Sequence, residues 1–161
     1  KQCLSFTERN DLVVDSLEMI CVEIKKPYNK SFLVWAWYRP PNSNTNLLDD
    51  FEVFLHKCDL ANQELLIMGD LNCDVSKLPL ESNTRKLQFL SLLYQLDQLI
   101  SEPTRVTGTS ATLTDLFFTN KPENIIRSGV VHIGISDHSL IYAVRKFTLP
   151  SQRGLKCKNC S

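Results

Sequence analysis

The chain has 161 residues, which is enough for one domain with a buried core, and its 18 basic and 18 acidic residues give a formal net charge of zero. This balance excludes a broad basic surface, so any contact with nucleic acid has to come from a local patch. No apolar run reaches the length of a membrane span, and the charged start lacks the apolar core of a signal peptide. We therefore expect no membrane partner.

The first part of the chain predicts a hairpin followed by a helix. Residues 17–24 and 31–38 are rich in apolar and aromatic side chains, and turn residues separate them, which is typical of two antiparallel strands. Apolar residues repeat at helical spacing over residues 47–58, which predicts a helix with one buried face. Asn44 or Thr45 is the expected cap of this helix.

The middle of the chain predicts a buried strand and a second helix. The apolar run 65–68 indicates a short strand that ends at a glycine and a polar turn. Leucines and a tyrosine at three- and four-residue spacing within residues 83–96 predict a helix, which Asn83 or Thr84 is expected to cap.

The last part of the chain predicts further strands. Residues 99–107 are interpreted as a short strand and a loop, residues 112–120 as a strand, and residues 125–147 as two strands joined around a Ser-Asp-His triplet. Residues 148–161 show no periodicity and are expected to form a tail or linker. The sum is an α+β fold with a strand-rich core and a few covering helices.

The cysteines favour reduced thiols in an intracellular compartment. Cys21 and Cys58 lie in apolar periodic stretches, where small buried thiols are common, although six cysteines also allow disulfides. Cys157 and Cys160 have the spacing of half a zinc site, but no second Cys/His pair with matching spacing accompanies them. We therefore interpret these two cysteines as part of the tail.

Polar side chains are concentrated at the ends of the predicted strands. Asp70 and Asn72 follow one strand, Asp115 lies in another, and Asp137 and His138 precede the last one. Singly, each has a structural explanation, because Asp-x-Asn commonly caps a turn and a lone histidine is commonly a satisfied core residue. Together, three carboxylates and an imidazole are what phosphodiester hydrolysis requires: oxygen ligands for a divalent cation, a base for water and a proton donor.

Four stretches carry a family resemblance: YRPPNS, GDLN, TLTDLFFTN and GISDHS, in this order. With them, the chain resembles the endonuclease/exonuclease/phosphatase superfamily over residues 5–147, and more narrowly the apurinic-endonuclease-like domain of LINE-type non-LTR retrotransposons. The resemblance implies two packed β-sheets flanked by helices, a four-layer sandwich, with residues 1–147 forming part of such a domain. It also implies Mg²⁺ as the cofactor, with Mn²⁺ as the alternative, DNA as the substrate, a fused or associated reverse transcriptase, and action in the nucleus.

The resemblance assigns roles to the polar residues at the strand ends. It implies that His138 faces the scissile phosphate and that Asp115 orients the histidine. It implies that Asp70 positions or deprotonates the attacking water and binds the metal, helped by Asn72, which also contacts the phosphate. Asp137 is the further metal ligand.

Further residues are expected to contact the substrate. The resemblance implies that Tyr38 donates a hydrogen bond to the phosphate and that Ser136 lies in the same loop as the histidine. Arg39 and Thr104 are expected to bind substrate as well. Other cations near the motif loops could supply local phosphate contacts: Lys77, Arg85, Lys86 and Arg105.

The sequence also departs from the family pattern. In the family, a metal-ligating glutamate and a further asparagine come from strands that precede the segment beginning at Lys1, so the early strands are expected to be missing. We therefore expect weak or no catalysis by this chain alone, together with exposed apolar sheet surface. Two alternatives stay open: a retrotransposon-derived relic or binding module without catalysis, and a phosphatase of lipid or inositol substrates.

Overall fold

The structure is a computed structural model that describes residues 4–25, 30–44 and 46–147. Within these residues the chain forms ten strands and two α-helices, in the following order: β1 (Ser5–Glu8), β2 (Glu18–Lys25), β3 (Phe32–Tyr38), α1 (Asn46–Leu60), β4 (Glu64–Asp70), α2 (Ser82–Leu93), β5 (Asp97–Gln98), β6 (Arg105–Val106), β7 (Ala111–Thr112), β8 (Asp115–Thr119), β9 (Ile125–Val131) and β10 (Leu140–Arg145). The predicted tail, with Cys157 and Cys160, lies outside the described residues.

A six-stranded mixed sheet is the centre of the molecule. Its strand order is β1-β2-β3-β4-β8-β5, and the hairpins β6–β7 and β9–β10 form two small sheets of their own. Only the pair β3–β4 of the large sheet is parallel, because α1 connects these two strands as a crossover. The α+β class is confirmed, and no helix of the described residues is long and apolar enough to cross a membrane.

The core lies between the sheet and helix α1. Alternate residues of β3 face the helix, and among them Trp35 and Trp37 are almost fully buried. The ring centroid of Trp35 lies 3.9 Å from that of Phe54 and 5.1 Å from that of Phe51. This aromatic packing anchors β3 and its neighbour β4, the strand that ends at the candidate site.

The opposite face of the large sheet is only partly covered. At the start of β3 and β4, Arg145 of β10 covers this face: it pairs with Glu64 at 2.7 Å, and its guanidinium lies 4.2 Å from the ring centroid of Phe32. Towards the ends of β3 and β4 the face is open, and the side chains of Ile20 and Tyr38 are 54% and 44% exposed. The structure thus has the exposed apolar sheet surface that the sequence leads one to expect.

The two helices differ in how their starts agree with the predicted caps. Asn44 accepts a hydrogen bond from the Asn46 N–H at 3.3 Å at the start of α1, whereas Thr45 lies outside the described residues. The predicted cap of α2 is wrong, because the helix begins at Ser82 and Thr84 lies within its first turn. Thr84 is buried instead.

The sequence did not predict strand β1. All four of its residues are exposed, so no apolar alternation marks it, and pairing with β2 alone defines it. Of the cysteines that the structure describes, Cys21, Cys58 and Cys73 are buried free thiols, in agreement with the predicted reduced state.

Replacing Gly69 with alanine should destabilise the fold severely. Gly69 has a φ of 151°, and a Cβ on it would lie 1.8 Å from the carbonyl oxygen of Trp37 on the neighbouring strand. The two central strands would have to separate, and we expect a loss of about 3 kcal/mol or more in the free energy of unfolding. Urea unfolding followed by tryptophan fluorescence measures it. Gly108→Ala is the control, since nothing lies within 4 Å of that added Cβ; equal midpoints for the two variants would contradict this account.

Candidate active site at the ends of β4 and β8

Two aspartates face each other at the end of the central sheet. Asp70 is the last residue of β4, Asp115 is the first residue of β8, and the antiparallel register makes them direct partners. Directly opposed side chains of a strand pair point to the same face, so two carboxylates are held side by side. Burial and the charge of Asp115 raise the pKa of Asp70, burial being the larger cause.

His138 joins this pair of carboxylates. Its Nδ1 lies 3.0 Å from Oδ2 and 3.3 Å from Oδ1 of Asp115, and the two side chains are 33% and 15% exposed. One ligand atom from each of Asp70, Asp115 and His138 lies within 4.8 Å of the others. The contact holds the imidazole through Nδ1 and not through Nε2. The structure therefore brings together three of the residues that the sequence predicted.

Thr104 supports the Asp115–His138 contact through its hydroxyl and its carbonyl. The hydroxyl of Thr104 accepts hydrogen bonds from the N–H groups of Thr114 and Asp115, at 3.2 Å and 2.9 Å. Its carbonyl accepts the Ser139 N–H at 2.7 Å, so one residue ties β8 to the histidine loop. The predicted substrate contact of Thr104 is wrong, because the residue is 0% exposed and its hydroxyl already serves the backbone.

Asn72 lies in the turn that follows Asp70. Its N–H donates to Oδ1 of Asp70 at 3.1 Å, and its backbone is left-handed with a φ of 47°, which asparagine tolerates better than most residues. Its side-chain amide donates one hydrogen bond to the carbonyl of Arg39, at 2.8 Å. The turn explanation and the predicted role at the phosphate are compatible, since the amide has a second N–H.

Arg39 does not face the substrate side. Its side chain is 1% exposed and donates to the carbonyls of Leu71 and Ser43, at 3.2 Å and 3.1 Å. The predicted contact of Arg39 with the substrate is therefore wrong: the guanidinium lies inside the protein, behind the turn that carries Asp70.

Tyr38 ends β3 beside the same site. Together with Met68, Gly69 and Asp70 it lines an open cleft of about 470 Å³, and its side chain is 44% exposed. The hydroxyl is therefore accessible from the side on which the carboxylates lie. Its hydrogen bond to a phosphate stays a prediction.

Ser136 and Asp137 have other contacts. The hydroxyl of Ser136 lies 3.1 Å from both the N–H and the carbonyl of His138, so it shapes the turn before the histidine. The Asp137 carboxylate accepts a hydrogen bond from Nε of Arg105 at 2.7 Å, and this bond lowers the pKa of Asp137. Asp137 lies outside the three-residue cluster, and its role as a metal ligand stays a prediction.

Among the predicted basic contacts, Arg105 is the one adjacent to the cluster. Its backbone forms an isolated antiparallel bridge with His138, and its guanidinium is half exposed. Lys77 and Lys86 pair with acidic residues on the surface, Glu81 and Asp49. The sequence offered Arg105 only as one cation among several; no sequence signal indicated that it pairs with Asp137.

The cluster has the chemistry of a divalent-cation site. The carboxylates of Asp70 and Asp115 offer hard oxygen ligands, which together with water suit Mg²⁺ or Mn²⁺. A cation here would also offset the repulsion between the two neighbouring carboxylates, which the pKa of Asp70 reflects. The residues present therefore fit a divalent cation.

Comparison with known proteins identifies the fold. No family model and no curated protein matches the sequence. Among solved structures, an endonuclease/exonuclease/phosphatase family protein from Bacteroides thetaiotaomicron is 13% identical, with a TM-score of 0.55, and the match covers 78% of this chain and 54% of that one. Beta toxin from Staphylococcus aureus, a mutant with bound magnesium ions, is 14% identical, with a TM-score of 0.57, over 80% of this chain and 57% of that one. The chain thus has the endonuclease/exonuclease/phosphatase fold.

A retrotransposon domain is more similar still. The endonuclease domain of TRAS1, a telomere-specific non-LTR retrotransposon, is 16% identical and has a TM-score of 0.75. The match covers 88% of this chain and 67% of that domain. The likeness agrees with the narrower resemblance in the sequence motifs and confirms it for the fold; the present chain spans about two thirds of that domain.

Replacing Asp70 with asparagine should stabilise the metal-free protein at neutral pH. Because the folded state raises the pKa of Asp70, folding favours the protonated carboxyl, and stability is lost as the pH rises through that raised pKa. In the presence of a chelator, Asp70→Asn should unfold at higher urea than the natural chain at about pH 7, and the difference should vanish by about pH 3, where the carboxyl is protonated in both states. Asp97→Asn, at an exposed strand position, is the control and should change little at either pH. A variant that is no more stable than the natural chain at neutral pH would contradict this expectation.

Replacing Thr104 with valine should destabilise the site. The isosteric change leaves the N–H groups of Thr114 and Asp115 without their acceptor, and we expect a loss of about 2 kcal/mol in the free energy of unfolding. Thr104→Ser keeps the hydroxyl and should retain most of the stability. Thr107→Val removes a hydroxyl that accepts two N–H bonds in an exposed turn, and should cost much less. Urea unfolding compares the three, and a valine variant as stable as the serine variant would disprove the role of the hydroxyl.

Proposed function

We propose that this chain is the catalytic part of a metal-dependent DNA endonuclease of the retrotransposon type, which hydrolyses a phosphodiester bond. The carrying observation is the Asp115–His138 contact beside Asp70, at the end of the central sheet. The likeness in fold to the TRAS1 endonuclease domain supports DNA as the substrate class. The nick would then serve a fused or associated reverse transcriptase in the nucleus.

In this proposal, the imidazole of His138 acts on the phosphate. Asp115 holds the ring through Nδ1, fixes its orientation and stabilises positive charge on it when it is protonated. Nε2 is then the nitrogen that donates to a phosphate oxygen, and it stabilises the negative charge that develops in the transition state.

In this proposal, Asp70 acts on the attacking water. Its carboxylate is partly buried, which raises its pKa and makes it a better proton acceptor than an exposed aspartate. Asn72, held in the adjoining turn, would direct its second amide N–H to a phosphate oxygen. Tyr38 would donate from the other side of the cleft.

A divalent cation would complete this chemistry. Asp70 would hold it, with Asp137 as the further ligand, and Mg²⁺ or Mn²⁺ would neutralise charge on the phosphate oxygens. The guanidinium of Arg105 competes with the cation for the Asp137 carboxylate, because it already occupies one oxygen of that carboxylate.

The Arg105–Asp137 ion pair favours a second candidate, a nucleic-acid-binding module without catalysis. If Arg105 keeps Asp137 from the metal, the remaining cluster offers few ligands, and the chain would bind DNA but cleave it slowly or not at all. The experiment below therefore measures binding and cleavage separately.

Replacing His138 with alanine should slow nicking strongly. We expect the natural chain to nick supercoiled plasmid slowly with Mg²⁺ or Mn²⁺, and we expect the rate to fall about 1,000-fold in His138→Ala, since the group that stabilises the transition state is lost. Gel conversion of supercoiled to open-circular DNA measures the rate, and a fluorescent-DNA titration measures binding. His56→Ala, an exposed position on α1, is the matched control and should keep the full rate.

Three outcomes decide between the candidates. Equal rates in the natural chain and His138→Ala would remove this site as the catalytic one. Binding of DNA without metal-dependent nicking would favour the non-catalytic module. Turnover of lipid or inositol phosphates without nicking of DNA would transfer the chemistry to the phosphatase alternative.

A further inference from the structure

The structure contains a buried arginine without an acidic partner, directly behind the candidate site. Arg39 is 1% exposed, and none of the ion pairs among the described residues includes it. Its Nε is buried and has no hydrogen-bond acceptor in the described part of the chain. Since a guanidinium stays protonated in a protein, a full positive charge is buried here at a considerable desolvation cost.

The contacts of Arg39 converge on the turn that carries Asp70 and Asn72. Its Nη1 donates to the carbonyl of Leu71, the residue between them, at 3.2 Å. The same Nη1 lies 3.8 Å from Sγ of Cys73, the residue after Asn72. These two contacts hold the main chain of the turn from its buried side.

The backbone of Arg39 holds the same turn from another direction. Its N–H donates to the carbonyl of Asp70 at 2.9 Å, and its carbonyl accepts the side-chain amide of Asn72 at 2.8 Å. One residue thus bonds directly to Asp70, Leu71 and Asn72. The other end of the guanidinium, Nη2, is fixed at 3.1 Å to the carbonyl of Ser43 in the loop before α1.

We infer that Arg39 is a positioning residue. It bonds the turn formed by residues 70–72 to the loop between β3 and α1, and it thereby sets the positions of the Asp70 carboxylate and the Asn72 amide. The inference deepens the proposed function and rests on it, because Asp70 and Asn72 are the groups placed at water and phosphate. It assigns to Arg39 no contact with DNA.

Arginine is suited to this position in a way that lysine is not. The planar guanidinium presents donors in two directions and reaches the Leu71 and Ser43 carbonyls together. A lysine ammonium is a compact group on a flexible stem, and at this depth it would reach one carbonyl well. Arg39→Lys should therefore hold the turn in part. Arg39→Met keeps the bulk but removes every side-chain donor, so its side chain should not hold the turn at all.

The first test needs only folded protein. Hydrogen exchange followed by NMR measures protection of the Leu71 and Asn72 amides, whose N–H groups donate to Thr114 and Asp70. In Arg39→Met these amides should exchange at least about tenfold faster relative to those of α1, because the turn opens locally. Arg145→Met is the matched control: it removes a different guanidinium, which is 17% exposed and bonded to Glu64 away from this turn, and should leave the ratio unchanged.

The second test uses the plasmid-nicking assay under conditions in which every variant is folded. A misplaced Asp70 should lower kcat about 100-fold in Arg39→Met, and about tenfold in Arg39→Lys, with KM for DNA changed less than about threefold. Arg145→Met should retain the kcat of the natural chain when compared at equal folded fraction.

Several results would overturn the inference. Unchanged relative exchange in Arg39→Met, or a uniform acceleration that Arg145→Met shares, would leave Arg39 a general stabiliser. A raised KM with unchanged kcat would make it a DNA contact. If Arg39→Met does not fold, Arg39→Lys decides, and wild-type behaviour of that variant in both tests counts against positioning. If the natural chain does not nick DNA, the proposed function fails, and the exchange experiment alone decides the role of Arg39.

Discussion

The candidate site depends on the register between β4 and β8. Because that register pairs Asp70 directly with Asp115, two carboxylates occupy one face of neighbouring strands. Like charges in this position are destabilising, and a shift of β8 by one residue against β4 would turn the Asp115 side chain to the opposite face of the sheet from Asp70. The sheet therefore contains an unfavourable pair of carboxylates, and the imidazole of His138 offsets part of the repulsion.

The rest of the fold keeps this register rigid. Trp37 and Gly69 bring β3 and β4 together so closely that no Cβ fits between them, and the aromatic core under α1 holds β3 in place. The two carboxylates are thus carried by strands of the core and not by a mobile loop. The histidine comes from a loop, but Thr104 bonds both that loop and the start of β8. Short, well-aligned contacts of this kind are what a catalytic group requires of its supports.

The sequence predicted the central strands because apolar residues mark β2, β3, β4 and β8. It did not predict β1, whose four residues are all exposed and have no pattern. It selected Asp70, Asp115 and His138 as chemical groups, with the family motifs supplying their roles. It misassigned Arg39 and Thr104, because a polar residue inside a motif gives no indication of which way its side chain points. Burial depends on partners distant in the sequence, here residues 71 and 114–115.

The balance of charge around the site bears on how a polyanion would bind. The chain has no net charge, so no long-range field attracts DNA, and the cations near the cluster have to act at short range. Arg105 is the exposed one, and Asp137 holds its guanidinium at the edge of the site. A phosphate that approached would compete with Asp137 for that guanidinium, and releasing the carboxylate would leave it free for a cation. Binding of a phosphate and binding of a metal ion would then be coupled through the Arg105–Asp137 ion pair.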